Sequence, residues 1–225
     1  MKLLVLGGSG LIGNALLKNS KNEFDILTTF YKNPISIKNV RSFQYSFPND
    51  LNNLRELLEK EKPDVLVNTM GYSNIDFCEL NKSDTEMLHV EVTEKICKLC
   101  ENIGTKQIFL SSDYVFDGEK GNYSEDDVPN PVNYYGLSKL KAEQLILKNP
   151  INTIIRTSVI YDWDYRARFF NYVIKNFDKD HRAFMLSCVA ALTLGGKWKI
   201  YDKDSIYTSF PKFLSILKIL GAKIN

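Results

Sequence analysis

The chain has 225 residues, 44% hydrophobic and 25% charged, with a formal net charge of +2. This length suits one domain, or one domain with a small lobe, and is enough to bury a full core. Charges of both signs are interspersed, so nucleic acid is not an expected partner. No apolar run reaches the roughly 18 residues of a membrane span, and the apolar start Met1–Gly7 is too short for a signal peptide. We therefore expect a globular protein in the cytoplasm, with no membrane partner.

Strand-like and helix-like segments alternate through the first 160 residues. An apolar run that ends in glycines predicts a buried parallel strand at Lys2–Leu6, and Leu11–Asn19 has the pattern of a helix. Further strands are predicted at Asp25–Phe30, Arg41–Tyr45, Asp64–Asn68, Lys106–Ser111 and Asn152–Thr157. Further helices are predicted at Leu51–Glu61, Asp84–Asn102 (ending at Gly104) and Asn133–Lys148. This alternation predicts an α/β, Rossmann-type doubly wound parallel sheet with helices on both faces.

The segment after residue 160 lacks this regular alternation. Arg166–Phe177 has a helical pattern, Trp198–Tyr201 a strand pattern and Phe210–Leu220 a helical pattern. We therefore predict two parts: a dinucleotide-binding domain over residues 1–160, and a small, reduced C-terminal lobe over residues 161–225.

Cys97 and Cys100 form a C-x-x-C pair, a spacing found in zinc sites and redox centres. The chain has four cysteines, no second pair of this spacing, and only two histidines, His89 and His181. The pair also falls in a predicted helix with regularly spaced apolar residues. We therefore expect buried helix cysteines and no metal site.

Three glycines, Gly7, Gly10 and Gly13, stand between the first strand and the first helix. Gly7 permits a sharp turn, Gly10 lets the backbone approach a diphosphate, and Gly13 lets helix and strand pack closely. The diphosphate would bind the amides that open the helix, those of Leu11 and Ile12. The pattern predicts a dinucleotide site. The alternative is a tight turn without a ligand.

The end of the second strand bears on which dinucleotide would bind. NAD sites usually carry Asp or Glu there, to hold the ribose hydroxyls. Here the strand ends in Thr28-Thr29-Phe30-Tyr31-Lys32, and Asp25 stands at its start. Lys32 is suited to a 2′-phosphate, which favours NADP(H) over NAD(H). The alternative is that Lys32 is a solvated surface lysine.

Tyr135 and Lys139 are four residues apart on a predicted helix and share one face. A free tyrosine has a pKa of about 10, and a nearby lysine charge lowers it, which would let Tyr135 donate a proton to a carbonyl oxygen. Ser112 ends the preceding strand and could hydrogen-bond the same oxygen. Tyr134 has no lysine four residues on. The Tyr-x-x-x-Lys spacing alone is expected by chance, so the prediction depends on the glycine loop and on the string Ser111–Gly118.

Together these pieces resemble the extended short-chain dehydrogenase/reductase family. Within it they are most similar to the dTDP-4-dehydrorhamnose reductases and their relatives, which include the regulatory β subunit of methionine adenosyltransferase. The resemblance covers residues 1 to about 160. It rests on Gly7–Gly13, Val67–Glu79, Ser111–Gly118, Pro131–Lys139 and Ile155–Ser158.

The resemblance implies an NADP(H)-dependent reductase whose substrate is a nucleotide-linked 4-keto-6-deoxy sugar. Ser112 and Tyr135 would act on the carbonyl, and Lys139 would hold the ribose and lower the pKa of Tyr135. The other residues implied to line the cofactor are Met70, Gly71 and Tyr72. The residues assigned to the substrate are Asp113, Val115, Arg166 and Arg168, the arginines being suited to grip a diphosphate.

Several positions depart from the family pattern. His89 stands where the relatives have a helix asparagine, and Asn14 and Ala15 replace the acids that bind magnesium in some bacterial members. An aspartate common at the end of the third strand is replaced by Tyr45-Ser46-Phe47-Pro48, and the Asp-Gln-x-x-x-Pro-Thr-like segment is absent. Two alternatives stay open: a catalytically degenerate NADP-binding regulatory subunit, and a nucleotide-sugar epimerase with tightly held NAD. The sequence also leaves open whether the chain forms a homodimer.

Overall fold

The computed structural model describes residues 1–158, 160, 212–219 and 223. The chain divides into two compact units, Met1–Ile160 and Tyr161–Asn225. In the second unit, a helix at Phe213–Ile219 buries Phe213 and Leu217. The helix predicted at Arg166–Phe177 and the strand predicted at Trp198–Tyr201 lie outside the described residues. The separate roles assigned to the two parts stay predictions.

The first unit is built on a parallel sheet, as predicted. Its six described strands are β1 (Lys2–Leu6), β2 (Asp25–Phe30), β3 (Val40–Gln44), β4 (Val65–Asn68), β5 (Lys106–Ser112) and β6 (Thr153–Thr157). Their order in the sheet is β3-β2-β1-β4-β5-β6, and every pair is parallel. This is the Rossmann strand order, in which ligands bind beyond the carboxyl ends of β1 and β4, where the order reverses.

Helices cover both faces of this sheet, because neighbouring residues of a strand point to opposite faces. Leu4 and Leu6 pack with one buried cluster, and Leu3 and Val5 with another. The helices of the first unit are α1 (Leu11–Ser20), α2 (Leu51–Glu61), α3 (Ile75–Leu80), α4 (Lys82–Glu86), α5 (Val92–Ile103) and α6 (Tyr134–Ile146).

The helix predicted at Asp84–Asn102 is divided in the structure. It consists of α4, a π-helical turn over Met87–Glu91, and α5, which ends at Gly104 in the left-handed conformation as predicted. The short helix α3 was not predicted. It begins at Asn74, whose side chain accepts a hydrogen bond from the Phe77 amide at 2.9 Å. The π-helical turn lies beside the candidate active site described below. Such turns are frequent at functional sites.

Cys97 and Cys100 both lie in α5. Cys100 is buried, and burial raises the pKa of its thiol to about 12. Cys97 is partly buried and lies 3.9 Å from the side-chain oxygen of Gln107. Within the described ranges, no group of histidine, cysteine and acidic side chains is placed to hold a metal ion. The same part of the chain contains no helix that is long and apolar enough to cross a membrane.

Candidate active site

The glycine loop joins β1 to α1 in a tight turn. Gly7 has φ +83°, a conformation that favours glycine, and its carbonyl accepts a hydrogen bond from the Gly10 amide at 2.9 Å. A Cβ on Gly13 would lie 2.5 Å from the Gly7 carbonyl oxygen and 2.8 Å from Gly8 Cα. Helix and loop are therefore packed too closely at Gly13 for any larger residue, as the sequence predicted.

The start of α1 fits the diphosphate of a dinucleotide. Gly10 precedes the helix as its N-cap residue and has no side chain that could cap the first amides. A Cβ on Gly10 would lie 3.2 Å from the Gly7 carbonyl oxygen. Leu11 and Ile12 open the helix and are partly exposed. Amides at the positive end of a ten-residue helix attract an anion.

The carboxyl end of β2 lies next to this loop. The Gly8 amide donates to the Thr29 carbonyl at 2.9 Å, and Lys32 follows two residues beyond the end of the strand, with its Nζ 5.0 Å from the centre of the exposed Tyr31 ring. Asp25 pairs with Lys2 at the opposite end of the strand, where it contacts Arg41. Lys32 is therefore in a position that suits a cation near the adenosine end of a dinucleotide. Asp25 lies at the opposite end of β2 and is too distant to serve there.

The turn Met70–Tyr72 follows β4 and leads the chain past the glycine loop. A Cβ on Gly7 would lie 3.0 Å from Thr69 Oγ1 and 3.2 Å from Met70 Cγ. The Tyr72 amide donates to Nε2 of His89 at 2.8 Å. Gly71 has φ +153°, and a Cβ there would lie 3.0 Å from the same nitrogen. The turn thus lies between the glycine loop and the π-helical turn.

Ser112 and Tyr135 meet at the carboxyl end of β5. Ser112 is the last residue of that strand, and its hydroxyl donates to Asp113 Oδ1 at 3.1 Å. Tyr135 is in the first turn of α6, which Asn133 caps by accepting from the Gly136 amide at 2.8 Å. The Ser112 hydroxyl is close enough to Tyr135 to affect the pKa of its phenol. The Tyr135 ring also contacts Tyr114 edge-on, with ring centres 5.8 Å apart.

Lys139 is buried one turn further along α6, with 5% of its surface exposed. Its Nζ donates to the Leu110 carbonyl at 2.6 Å and lies 4.2 Å from the centre of the Phe109 ring. Burial lowers the pKa of Lys139 to about 8, although the Glu143 carboxylate opposes this shift. The ammonium therefore stays charged at neutral pH but loses its proton more readily than an exposed lysine.

The pKa of Tyr135 corrects one step of the sequence argument. Its pKa is raised, chiefly by burial, and Ser112 opposes the rise. The lysine charge was expected to lower this pKa. In the structure Lys139 is directed to the backbone of β5, and its charge adds to burial in lowering the pKa of His89. Tyr135 consequently holds its proton at neutral pH.

An open cleft of about 570 Å³ lies beyond the carboxyl ends of β5 and β6. Asp113, Tyr114 and Arg156 contribute to its lining, and the Phe116 and Tyr123 rings stack 4.3 Å apart along it. Val115 had been assigned to the substrate, but its side chain is completely buried and does not reach the cleft. Arg166 and Arg168 lie outside the described residues, so their assignment stays a prediction.

Arg156 was not predicted as part of the site, although it falls within one of the stretches that carry the resemblance. It forms two hydrogen bonds to the buried Glu143 carboxylate, at 3.0 and 2.7 Å, and lies over the Phe116 ring. The arginine therefore braces the cleft wall against α6. Ser138 was not predicted either. Its hydroxyl contacts His89, 49 residues away in the sequence, and no local pattern indicates that contact.

The fold and the glycine loop between β1 and α1 define the class: a Rossmann-type α/β protein. The sequence matches the RmlD substrate binding domain over residues 1–187. The chain belongs to this RmlD-like family.

Solved structures agree with this placement. A hypothetical dTDP-4-dehydrorhamnose reductase from Sulfolobus tokodaii is 34% identical, with a TM-score of 0.69 over 78% of this chain and 61% of that one. A dTDP-4-dehydrorhamnose reductase from Bacillus anthracis, solved in complex with NADP, is 21% identical, with a TM-score of 0.66 over 79% of this chain and 60% of its own, and shows the shared fold.

A second kind of relative has a different name. The methionine adenosyltransferase 2 subunit beta of Xenopus tropicalis is 32% identical over 162 residues, which are 71% of this chain and 47% of that protein. The chain therefore spans about half the length of the curated relatives that it matches.

Proposed function

We propose that the chain is an NADP(H)-dependent reductase of a nucleotide-linked 4-keto-6-deoxy sugar. One observation carries the proposal. Ser112 and a protonated Tyr135 meet at the carboxyl end of β5, beside an open cleft and above a buried lysine. The names of the reductase structures support the substrate class, and the Bacillus anthracis complex supports NADP.

When bound, the nicotinamide supplies a hydride to the carbonyl carbon of the sugar. The protein must then supply a proton to the carbonyl oxygen. Tyr135 is the proton donor, because burial keeps its phenol protonated at neutral pH. The Ser112 hydroxyl donates a hydrogen bond to the same oxygen. After the transfer Tyr135 is a phenolate, and it recovers its proton from solvent.

Lys139 has one task in this proposal. Its ammonium holds the ribose of the dinucleotide. A pKa of about 8 leaves the ammonium charged at pH 7. The backbone contact to the Leu110 carbonyl fixes the ammonium at the end of β5, on the catalytic side of the sheet.

The residues that bind the cofactor in this proposal come from the glycine loop, the end of β2 and the turn after β4. Gly7, Gly10 and the Leu11 and Ile12 amides hold the diphosphate, and Lys32 meets the 2′-phosphate that distinguishes NADP(H) from NAD(H). Met70, Gly71 and Tyr72 line the cofactor on the β4 side. The substrate's sugar occupies the cleft bounded by Asp113 and Tyr114. Arg166 and Arg168, which lie outside the described residues, stay assigned to the substrate's diphosphate by their chemistry alone.

The test is an absorbance assay of NADPH oxidation with a dTDP-4-keto-6-deoxy sugar. Loss of the proton donor in Tyr135→Phe should lower kcat by roughly 10²- to 10⁴-fold, and Ser112→Ala should lower it by a smaller factor. Tyr134→Phe is the matched control, because the Tyr134 hydroxyl bonds Glu86 away from Ser112. Equal rates in wild type and Tyr135→Phe would refute the assignment.

A second candidate is a nucleotide-binding regulatory subunit without turnover. The similarity to the methionine adenosyltransferase subunits favours it. It predicts that calorimetry detects NADPH binding while no keto sugar causes NADPH oxidation. The reductase proposal requires both binding and oxidation, so the two measurements on one sample separate the candidates.

A further inference from the structure

His89 is buried on the π-helical turn, with 2% of its surface exposed, and both of its ring nitrogens are used. Nε2 lies 2.8 Å from the Tyr72 amide nitrogen. Nδ1 lies 2.8 Å from Ser138 Oγ, in the middle of α6. The ring therefore bridges two segments: the turn after β4 and the helix that carries Tyr135 and Lys139.

The direction of each bond follows from the chemistry of the partners. A backbone amide can only donate, so Nε2 of His89 must accept. The proton of a neutral imidazole is then on Nδ1, which donates to Ser138 Oγ. Ser138 in turn donates to the Tyr135 carbonyl at 2.8 Å. Three successive hydrogen bonds thus run from the Tyr72 amide to the backbone of the proposed acid.

The ring also packs directly against the residues that it joins. Its centre is 6.0 Å from that of the Tyr135 ring, edge-on at 77°, and 6.0 Å from that of the Tyr72 ring. A Cβ on Gly71 would come within 3.0 Å of Nε2, so the turn lies directly on the histidine. Any shift of the turn relative to α6 must break or bend these contacts.

We infer that His89 is a positioning residue that ties the Met70–Tyr72 turn to α6. The inference rests on the proposed function, in which the Met70–Tyr72 turn lines the cofactor and Tyr135 of α6 donates the proton. The tie, meaning the hydrogen bonds of His89 to Tyr72 and Ser138, fixes the distance between the turn and α6. Burial, followed by the Lys139 charge, lowers the pKa of His89 to about 3, which keeps the ring neutral and Nε2 able to accept.

Two substitutions separate the ends of the tie. His89→Gln places an amide oxygen near the position of Nε2 and can still accept from the Tyr72 amide. His89→Asn places its amide nitrogen near the position of Nδ1 and can still donate to Ser138. His89→Phe removes both bonds and keeps the ring volume. Melting temperatures of all three identify variants that have lost the fold.

The first readout is NADPH affinity by calorimetry. Loss of the acceptor of the partly buried Tyr72 amide should weaken NADPH binding about tenfold in His89→Asn and His89→Phe, because the turn loses its fixed position. His89→Gln should stay within about threefold of wild type. A wild type that binds NADPH, with all three folded variants binding equally well, would overturn the His89 inference alone. A wild type that does not bind NADPH would overturn the proposed function as well.

The second readout does not depend on cofactor or turnover. Nitrogen-15 NMR of the histidine rings distinguishes a protonated Nδ1 from a protonated Nε2. The tie predicts that the ring of His89 carries its proton on Nδ1 at pH 6 to 8, and that the Tyr72 amide signal shifts in His89→Asn and stays near its wild-type position in His89→Gln. A proton on Nε2 of His89 would contradict the bond to the Tyr72 amide and overturn the inference.

Discussion

Replacing Lys139 with methionine tests the buried ammonium directly. Methionine has a similar length without the charge, so it can pack against Phe109 while giving up the hydrogen bond to the Leu110 carbonyl. If Lys139 is kept for function and not for stability, Lys139→Met should weaken NADPH binding and turnover without a matching loss of folding stability.

The magnitude follows from the pKa of Lys139, which is about 8 in the folded chain against 10.5 for a free lysine. Below pH 8 the lysine is charged in both states, and the full cost of burying the charge lowers stability. Between pH 8 and pH 10.5 the unfolded state binds more protons, so stability rises with pH. At about 1.4 kcal/mol per pH unit, this window amounts to about 3 kcal/mol.

The assay is urea unfolding of wild type and Lys139→Met at pH 7 and at pH 10.5. Taking the difference between the two proteins at each pH cancels the other titrating groups. The stability of the variant relative to wild type should be more favourable at pH 7 by about 3 kcal/mol. Lys141→Met, on the same helix but with 40% of its side chain exposed and paired with Glu86, controls for the loss of a lysine. A relative stability that is the same at both pH values would refute a charged, buried Lys139.

Three further predictions concern the packing of α6, the ion pair beside the cleft and the choice of cofactor. Gly136→Ala should lower the free energy of unfolding by about 3 kcal/mol in urea titration, because its Cβ would lie 2.0 Å from the Tyr114 carbonyl oxygen; an unchanged midpoint would contradict the close packing of α6. Glu143→Gln should lower it by about 2 kcal/mol, because Arg156 loses a buried carboxylate; a loss below about 0.5 kcal/mol would show that the pair does not brace the cleft. Lys32→Glu should weaken NADPH binding by at least tenfold in calorimetry and NADH binding much less; equal weakening would remove Lys32 from the 2′-phosphate site.

The centre of the sheet was predictable because consecutive residues of β1 and β2 are buried on both faces. Continuous apolar runs such as Lys2–Leu6 indicate a parallel strand whatever the tertiary context, and glycines mark where the strand ends. The Rossmann class followed, and so did all six strand positions to within one residue at each end. The helix after β4 was harder, because the break at Met87–Glu91 depends on His89 meeting Tyr72 and Ser138, contacts that no local pattern encodes.

The sequence predicted where the candidate residues lie in the fold but not their electrostatics. Tyr135 and Lys139 were expected on one face of a helix, with the glycine loop and the string Ser111–Gly118 as context, and Ser112 at the end of a strand. The pKa of each group depends on burial and on where a flexible side chain is directed. Lys139 reaches the Leu110 carbonyl, so the expected fall in the pKa of Tyr135 is replaced by a rise. Val115 illustrates the same limit, because the resemblance assigned it to the substrate with Asp113 but could not show that its side chain is buried.

The most direct test of the proposed reaction follows the hydrogen that the cofactor would transfer. NADPH carrying deuterium at nicotinamide C4 is incubated with the protein and a dTDP-4-keto-6-deoxy sugar, and the sugar product is analysed by mass spectrometry. The account predicts one deuterium in the reduced sugar with wild type and with Tyr134→Phe, and almost none with Tyr135→Phe. A wild type that binds NADPH but transfers no deuterium, or a Tyr135→Phe variant that transfers it at the wild-type rate, would contradict the account.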